Sequence, residues 1–272
     1  ADSLFLLVLS IPALESVHSI RFLYRHFLAG ITEKSLNAFY YACPYAKADY
    51  SRFMGVTASL ALGLVPASLQ SLPLFFCVDD TIAPKSGKKF EDVSKLFDHA
   101  AHNGPNYLNG HCFVSLMLCV PVWKDSRVTY LSVPLGYRIW QKKETKLQMA
   151  ASMVRQAMPV FALQKSVIVL CDSWYAKKDL LCIVDEYPNL DIICKARCDS
   201  ALYGQPPKPT GKRGRPAKRG ARLSLGKDFS LSDEKVGAYH IAVRRVLTNL
   251  FGQREVLAYV TAVDKTGSSR RL

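Results

Sequence analysis

The sequence lacks any apolar run long enough to cross a bilayer. Its opening hydrophobic stretch, Leu4 to Leu14, is too short, and neither a basic flank nor a small-residue cleavage site accompanies it. A buried helix is the reading of that stretch. Also missing is the paired C-x-x-C spacing of a zinc site. The cysteines at 43, 77, 112, 119, 171, 182, 194 and 198 are scattered, mostly inside apolar runs, and read as reduced core residues of a cytosolic protein. No internal repeat of useful length is visible. The segment Gly87-Lys88-Lys89 is not a phosphate-binding P-loop, because the required Gly and the final Ser or Thr are absent. An initiator Met is absent before Ala1, and the chain stops at Leu272 just after a charged stretch, which leaves open a fragment at both ends.

Acid is in short supply. Against 36 Lys and Arg stand 22 Asp and Glu, a formal charge of +14 that favours a polyanionic partner, nucleic acid or an anionic membrane surface. Eight of the cations, Lys208, Lys212, Arg213, Arg215, Lys218, Arg219, Arg222 and Lys227, lie between Gln205 and Lys227 with no acid among them and with several Pro and Gly. Eight cations without acids on such a stretch have little to pair with except phosphates. At 49% hydrophobic residues, the 272-residue chain is far too apolar to be disordered and long enough for one sizeable core plus an appendage.

The apolar pattern divides the chain. Residues 1–70 read as helical, with helical spacing in Ile20, Leu23, Phe27 and Leu28. From Leu72 the texture changes to five short strand-like runs: Leu74 to Val78, Cys112 to Val122, Thr129 to Tyr137, Val167 to Cys171 and Leu190 to Cys194. A helical pattern from Leu147 to Phe161 separates the third run from the fourth, and a second one, at Leu180, Leu181 and Val184, comes after the fourth. This order predicts an α/β fold with a mixed five-stranded sheet, antiparallel first and parallel later, with helices on its faces: the skeleton of the RNase H-like fold. The core is expected over 71–204, a basic Pro- and Gly-rich loop over 205–235, and the start of a β-rich insertion over 236–272. Within that last part, Tyr239 to Leu247 and Glu255 to Val263 read as a hairpin.

Two strand-like runs each deliver a carboxylate. Phe75-Phe76-Cys77-Val78-Asp79-Asp80-Thr81 puts two acids after apolar residues, and Val167-Ile168-Val169-Leu170-Cys171-Asp172-Ser173 repeats the pattern. A single Asp after a strand is often a helix N-cap or a turn former. Two of them at the ends of buried-looking strands have the chemistry for two-metal phosphoryl transfer, since Mg²⁺ prefers hard oxygen ligands on a rigid frame.

The segment Val78-Asp79-Asp80-Thr81 with Lys85-Ser86-Gly87-Lys88-Lys89 after it resembles the first catalytic block of DDE-type insertion-sequence transposases, and Cys171-Asp172-Ser173-Trp174-Tyr175 resembles their second. The stretch from Lys195 to Tyr203, running into Gly211-Lys-Arg-Gly-Arg-Pro216, is similar to the region after the second Asp in one branch of that family. The likeness spans roughly Leu72 to Leu272. It implies a bacterial, cytoplasmic, nucleoid-associated enzyme with an RNase H-like core and Mg²⁺ or Mn²⁺ held by an Asp, Asp, Glu triad. That enzyme would cut and join DNA at the terminal inverted repeats of its own element and self-associate on that DNA. Water and then a DNA 3′ hydroxyl would be the nucleophiles, and a β-rich insertion would precede the Glu. The metal ligands it implies are Asp80 and Asp172. Asp79 is the alternative to Asp80, which is favoured because the family places the ligand directly before the Thr.

The chain departs from that branch at the third carboxylate. No Tyr-x-x-Arg-x-x-x-Glu signature is present, since neither Tyr239 nor Tyr259 has Arg three residues later. Glu234, Glu255 and Asp264 are the late acids, none in a comparable helical setting. The Glu is expected beyond Leu272, and the alternative is a truncated, inactive remnant that still binds DNA. A phosphatase of the haloacid dehalogenase type would want Asp-x-Asp, whereas these acids are adjacent.

Other features carry two readings each. Arg213-Gly214-Arg215-Pro216 resembles a hook for an A·T-rich minor groove, or is a solvated basic loop. Lys85, Lys88 and Lys89 either hold the DNA backbone beside the metals or are solvated. The DNA contacts expected are these three with Lys212, Arg213, Arg215, Lys218 and Arg219. His99, His102 and His111 lie close in sequence but lack helical i, i+4 spacing, which favours structural hydrogen bonding over zinc. Trp174 and Tyr175 either stack on a base or pack on the core, the latter being usual for aromatics opening a helix.

Overall fold

The computed structural model describes residues 2–16, 19–45, 49–87, 90–97, 106–164, 166–208, 215–249, 254–264 and 270–272. The chain divides into two compact units, Ala1–Phe53 and Met54–Leu272.

The first unit is helical: α1 (Asp2–Ser10), α2 (Ile20–His26) and α3 (Leu36–Tyr45). Its small core is Leu7 of α1, Leu23 of α2, Phe39 of α3 and Leu28 of the 3-10 turn Leu28–Gly30. Ser19 caps α2, its hydroxyl accepting from the Phe22 N–H at 3.1 Å. A fourth helix, α4 (Tyr50–Gly63), contains the division between the units.

The second unit is built on a six-stranded sheet. Its strands are β1 (Leu74–Pro84), β2 (Ser94–Phe97), β3 (Tyr107–Lys124), β4 (Arg127–Ile139), β5 (Val167–Cys171) and β6 (Leu190–Cys194). Their order is β2-β3-β1-β5-β6, with β4 also paired to β3. Pairings among β1 to β4 are antiparallel, and β1–β5 and β5–β6 are parallel, the mixed α/β arrangement of an RNase H-like core. The sheet has one strand more than the five expected, because β2 adds to the far end of β3. With one buried residue, Leu96, β2 leaves no period-two trace in the sequence. Asp125 and Ser126 join β3 to β4, both with positive φ, as a type I′ hairpin turn requires.

Alternation along the strands sends one face into the core. Leu74, Phe76 and Val78 of β1, Val114, Leu116 and Leu118 of β3, and Val167 and Val169 of β5 are buried there. Over this face lies α5 (Lys146–Ala157), whose Ala150, Ala151, Met153, Val154 and Ala157 are buried. Next to α5 is α6 (Lys178–Leu181), a single turn continued by a 3-10 turn, Cys182–Asp185, where the sequence pattern predicts an ordinary helix. Phe76 and Phe161 meet edge to face across this core at 5.0 Å.

A smaller sheet, ordered β10-β9-β7-β8, comprises β7 (Leu202–Tyr203), β8 (Arg222–Leu223), β9 (His240–Thr248) and β10 (Arg254–Ala262). β9 and β10 pair antiparallel across the segment read as a hairpin, over a core of Leu202, Phe229, Ala242, Val246, Ala258 and Val260. Most of the basic segment runs between β7 and β8. Its base is closed by the Gly204 N–H donating to Ala221 O and the Gly220 N–H donating to Gly204 O. A Cβ at Gly220 would collide with the Gln205 carbonyl, so glycine is required where the two backbones approach.

Candidate active site

β1 does not end at Val78 as the sequence suggests but continues to Pro84, because the long β3 pairs with it from Phe75 to Pro84. Asp79 and Asp80 therefore lie inside a strand, and alternation separates them. Asp80 continues the side of Phe76 and Val78 towards the helix-covered face, whereas Asp79 is exposed on the other. The Asp79 carboxylate accepts from the Asp80 N–H at 2.8 Å, and its carbonyl accepts from the Ser115 hydroxyl at 3.1 Å.

β5 runs parallel to β1 with Cys171 opposite Val78, so Asp172 leaves its strand at the level where β1 reaches the two acids. There the chain turns. Asp172 Oδ1 accepts from the N–H groups of Trp174 at 2.9 Å and Tyr175 at 3.2 Å. This is the turn-forming use of Asp, and it leaves Oδ2 without a hydrogen bond among the described residues. The turn drives the Tyr175 ring into the core, where it is fully buried, as expected for aromatics at that place. Its hydroxyl emerges beside Asp80 and donates to Oδ1 at 3.2 Å. Burial first, then the charge of Asp80, pushes the Tyr175 phenol well above its ordinary value, so it remains a proton donor. Trp174 is partly exposed and stacks edge-on against Tyr175 at 5.0 Å.

On its other oxygen, Asp80 meets two groups that the sequence reading misses. Lys146 Nζ lies 2.6 Å from Oδ2, and Cys112 Sγ lies 3.3 Å from it. Burial alone would lower the Lys146 ammonium, but hydrogen bonds to Asp80 and Cys112, with their charges, raise it above its ordinary value. Burial also raises the Cys112 thiol, against the pull of Lys146. One local signal points to Lys146. Thr145-x-x-Gln148 forms a capping box, in which the Thr145 hydroxyl accepts from the Gln148 N–H at 3.1 Å and the Gln148 side chain accepts from the Thr145 N–H at 3.0 Å. That motif makes Lys146 the first residue of α5.

The donor set suits a hard divalent cation. Asp80 and Asp172 offer carboxylate oxygens from adjacent parallel strands, and the Lys146 ammonium already stands where a cation would meet Asp80 Oδ2. Among the described residues, no group of three His, Cys, Asp or Glu side chains is placed to hold a metal ion. Of the late acids, Glu255 lies on β10, paired to Arg245 at 3.0 Å, and the Glu234 carbonyl accepts from the Ser232 hydroxyl.

The expected DNA contacts are less concentrated. Lys85 is exposed, with its ammonium 5.9 Å from the Phe90 ring. Arg215 and Lys218 are exposed, and the exposed Arg219 guanidinium stacks on Tyr203 at 4.0 Å. Lys88, Lys89, Lys212, Arg213, His99 and His102 lie outside the described residues. His111 bonds the Glu91 carbonyl through Nε2 at 2.8 Å, in keeping with a structural role.

A family model described as DDE superfamily endonuclease matches residues 55–249, a span that holds Asp79, Asp80, Asp172 and the basic segment. Compared with curated proteins, the chain finds no match.

Proposed function

Because this chain belongs to the DDE superfamily of endonucleases, we propose that it is a transposase that cuts and joins DNA at the terminal inverted repeats of its own element, with Asp80 and Asp172 as metal ligands. Membership carries the coarser part: nuclease-type phosphoryl transfer on DNA, in a superfamily whose nucleases generally use divalent metals. The observation that supports Asp80 and Asp172 as the ligand pair is their linkage through one residue, Tyr175, with Asp172 leaving β5 beside the acids of β1.

A divalent ion held by these carboxylates supplies charge neutralisation at the scissile phosphate. The rest falls to the chain itself. The sheet fixes the spacing of the two acids, Tyr175 orients Asp80, and the turn at Trp174 and Tyr175 holds Asp172 by one oxygen, leaving the other for the ligand role. Arg215, Lys218 and Arg219 at the base of the basic loop, with Lys212 and Arg213, bind the DNA backbone, and Lys85, Lys88 and Lys89 come closely enough after the first acid to share that work. In the cleavage step, water attacks phosphorus and the P–O3′ bond breaks, leaving a 3′ hydroxyl and a 5′ phosphate. In the joining step that hydroxyl attacks a target phosphodiester and displaces its 3′ oxygen. Substituting Asn for Asp172 abolishes cleavage and leaves end binding largely intact in this reading; normal cleavage by Asp172→Asn would sink it.

A second reading, DNA binding without cutting, draws on the missing third carboxylate among the described residues. Metal-dependent nicking by the 272-residue chain would rule it out.

A further inference from the structure

Both oxygens of Asp80 are engaged. Oδ1 accepts from the Tyr175 hydroxyl, and Oδ2 from the Lys146 ammonium at 2.6 Å and the Cys112 thiol at 3.3 Å. The lysine is the unexpected member. It is the first residue of α5, where the positive end of the helix disfavours a cation, so helix formation gives no reason for its charge to be there. Its side chain is only 16% exposed. The ammonium is held from three sides: by Asp80, and by the faces of Trp140 and Trp174, each with its ring centroid 5.3 Å away. The Trp140 indole is itself positioned, its Nε1 donating to the Glu144 carbonyl at 2.8 Å, and the backbone N–H of Trp174 donates to Asp172 Oδ1 at 2.9 Å.

A divalent ion bound to Asp80 Oδ2 would share that oxygen with a second cation in a half-buried site, where like charges are poorly screened. We propose that Lys146 is the resident counter-ion of Asp80: its ammonium and the divalent metal compete for Oδ2, and the metal enters as the lysine leaves its cage of two indoles. This rests on the reading of Asp80 as a metal ligand. The competition gives Lys146 two effects. It keeps the metal-free carboxylate paired, and it weakens metal binding by the fraction of molecules in which the ion pair must open.

The indoles report the exchange directly. Mg²⁺ titration of the 272-residue chain, followed by calorimetry and tryptophan emission, is expected to show binding accompanied by an emission change as the ammonium leaves Trp140 and Trp174. Lys146→Met is expected to bind Mg²⁺ about tenfold more tightly, if the pair is closed in about nine molecules of ten, and to lose most of the emission change. Lys146→Arg keeps the charge and should remain near the wild-type affinity. Circular dichroism establishes that each variant is folded, and Lys146→Gln replaces Lys146→Met if the latter is not. Folded Met or Gln variants that bind Mg²⁺ no more tightly than wild type, while Asp80→Asn loses binding, would overturn the competition and leave the metal reading standing. Binding undiminished by Asp80→Asn would overturn the metal reading itself.

Discussion

Tyr175 donates its backbone N–H to Asp172 and its hydroxyl to Asp80, each at 3.2 Å, so that one buried residue joins the two candidate metal ligands. Removing the hydroxyl alone tests that linkage. In Tyr175→Phe the ring still fills its pocket, the turn at Asp172 is untouched, and Asp80 Oδ1 loses the phenol donor. The expected loss of stability is about 1 kcal/mol, that of one part-buried hydrogen bond. Cleavage should fall by about 10-fold or more, the usual cost of removing a partner that orients a metal ligand. DNA end binding should not change. Thermal melts together with a cleavage assay check this, and a variant that cleaves at the wild-type rate would remove Tyr175 from the machinery.

The same residue shows how much is legible in the sequence. Continuous apolar runs ending in acids mark β1 and β5, and core packing, the usual role of aromatics after such an acid, holds for the Tyr175 ring. Its hydroxyl contact is not legible, because a bond from Tyr175 to Asp80 joins residues 95 apart and leaves no local pattern. Lys146 is hidden for the same reason. Its partner lies 66 residues earlier, and the helical periodicity that announces α5 begins only at Leu147. The short strands β2, β7 and β8 escape a sequence reading because two to four residues cannot display a period of two. The extension of β1 past Val78 is hidden by its own chemistry. Asp79 and Asp80 look like a turn until the pairing with β3 is known.

Two neighbouring acids next to α6 give a pH dependence. Glu186 takes a two-pronged contact from Arg155 of α5, at 2.6 and 2.7 Å, and Asp185 takes one from Arg254 of β10, with Nη1 at 2.7 Å from Oδ1. In each case the arginine hydrogen bond holds the carboxylate below its ordinary value, 4.5 for Glu and 3.8 for Asp. Because the folded values are depressed, the stabilisation is present above those ordinary values and is lost as pH falls through the folded ones. The Tm of the wild type should therefore fall more steeply than that of Arg155→Ala/Arg254→Ala between about pH 5 and pH 3. The difference should be modest, since both pairs are largely solvent-exposed. Parallel curves of Tm against pH would show that these pairs contribute nothing.

At the foot of the basic loop, the Arg219 guanidinium lies over the Tyr203 ring, 4.0 Å from its centroid, which fixes one cation of an otherwise irregular segment beside β7. If the loop binds phosphates, Arg219→Ala removes one contact. DNA affinity should drop by a similar factor on specific and unrelated sequences, and the slope of log K against log salt should become shallower by about 0.9. Arg219→Lys should restore most of the slope, because the charge returns, but less of the affinity, because a lysine ammonium lacks the planar face that stacks on the ring. Filter binding or fluorescence anisotropy across a salt series separates the cases. An unchanged slope in Arg219→Ala would take this residue off the DNA backbone. A loss confined to one DNA sequence would make Arg219 a reader of bases instead.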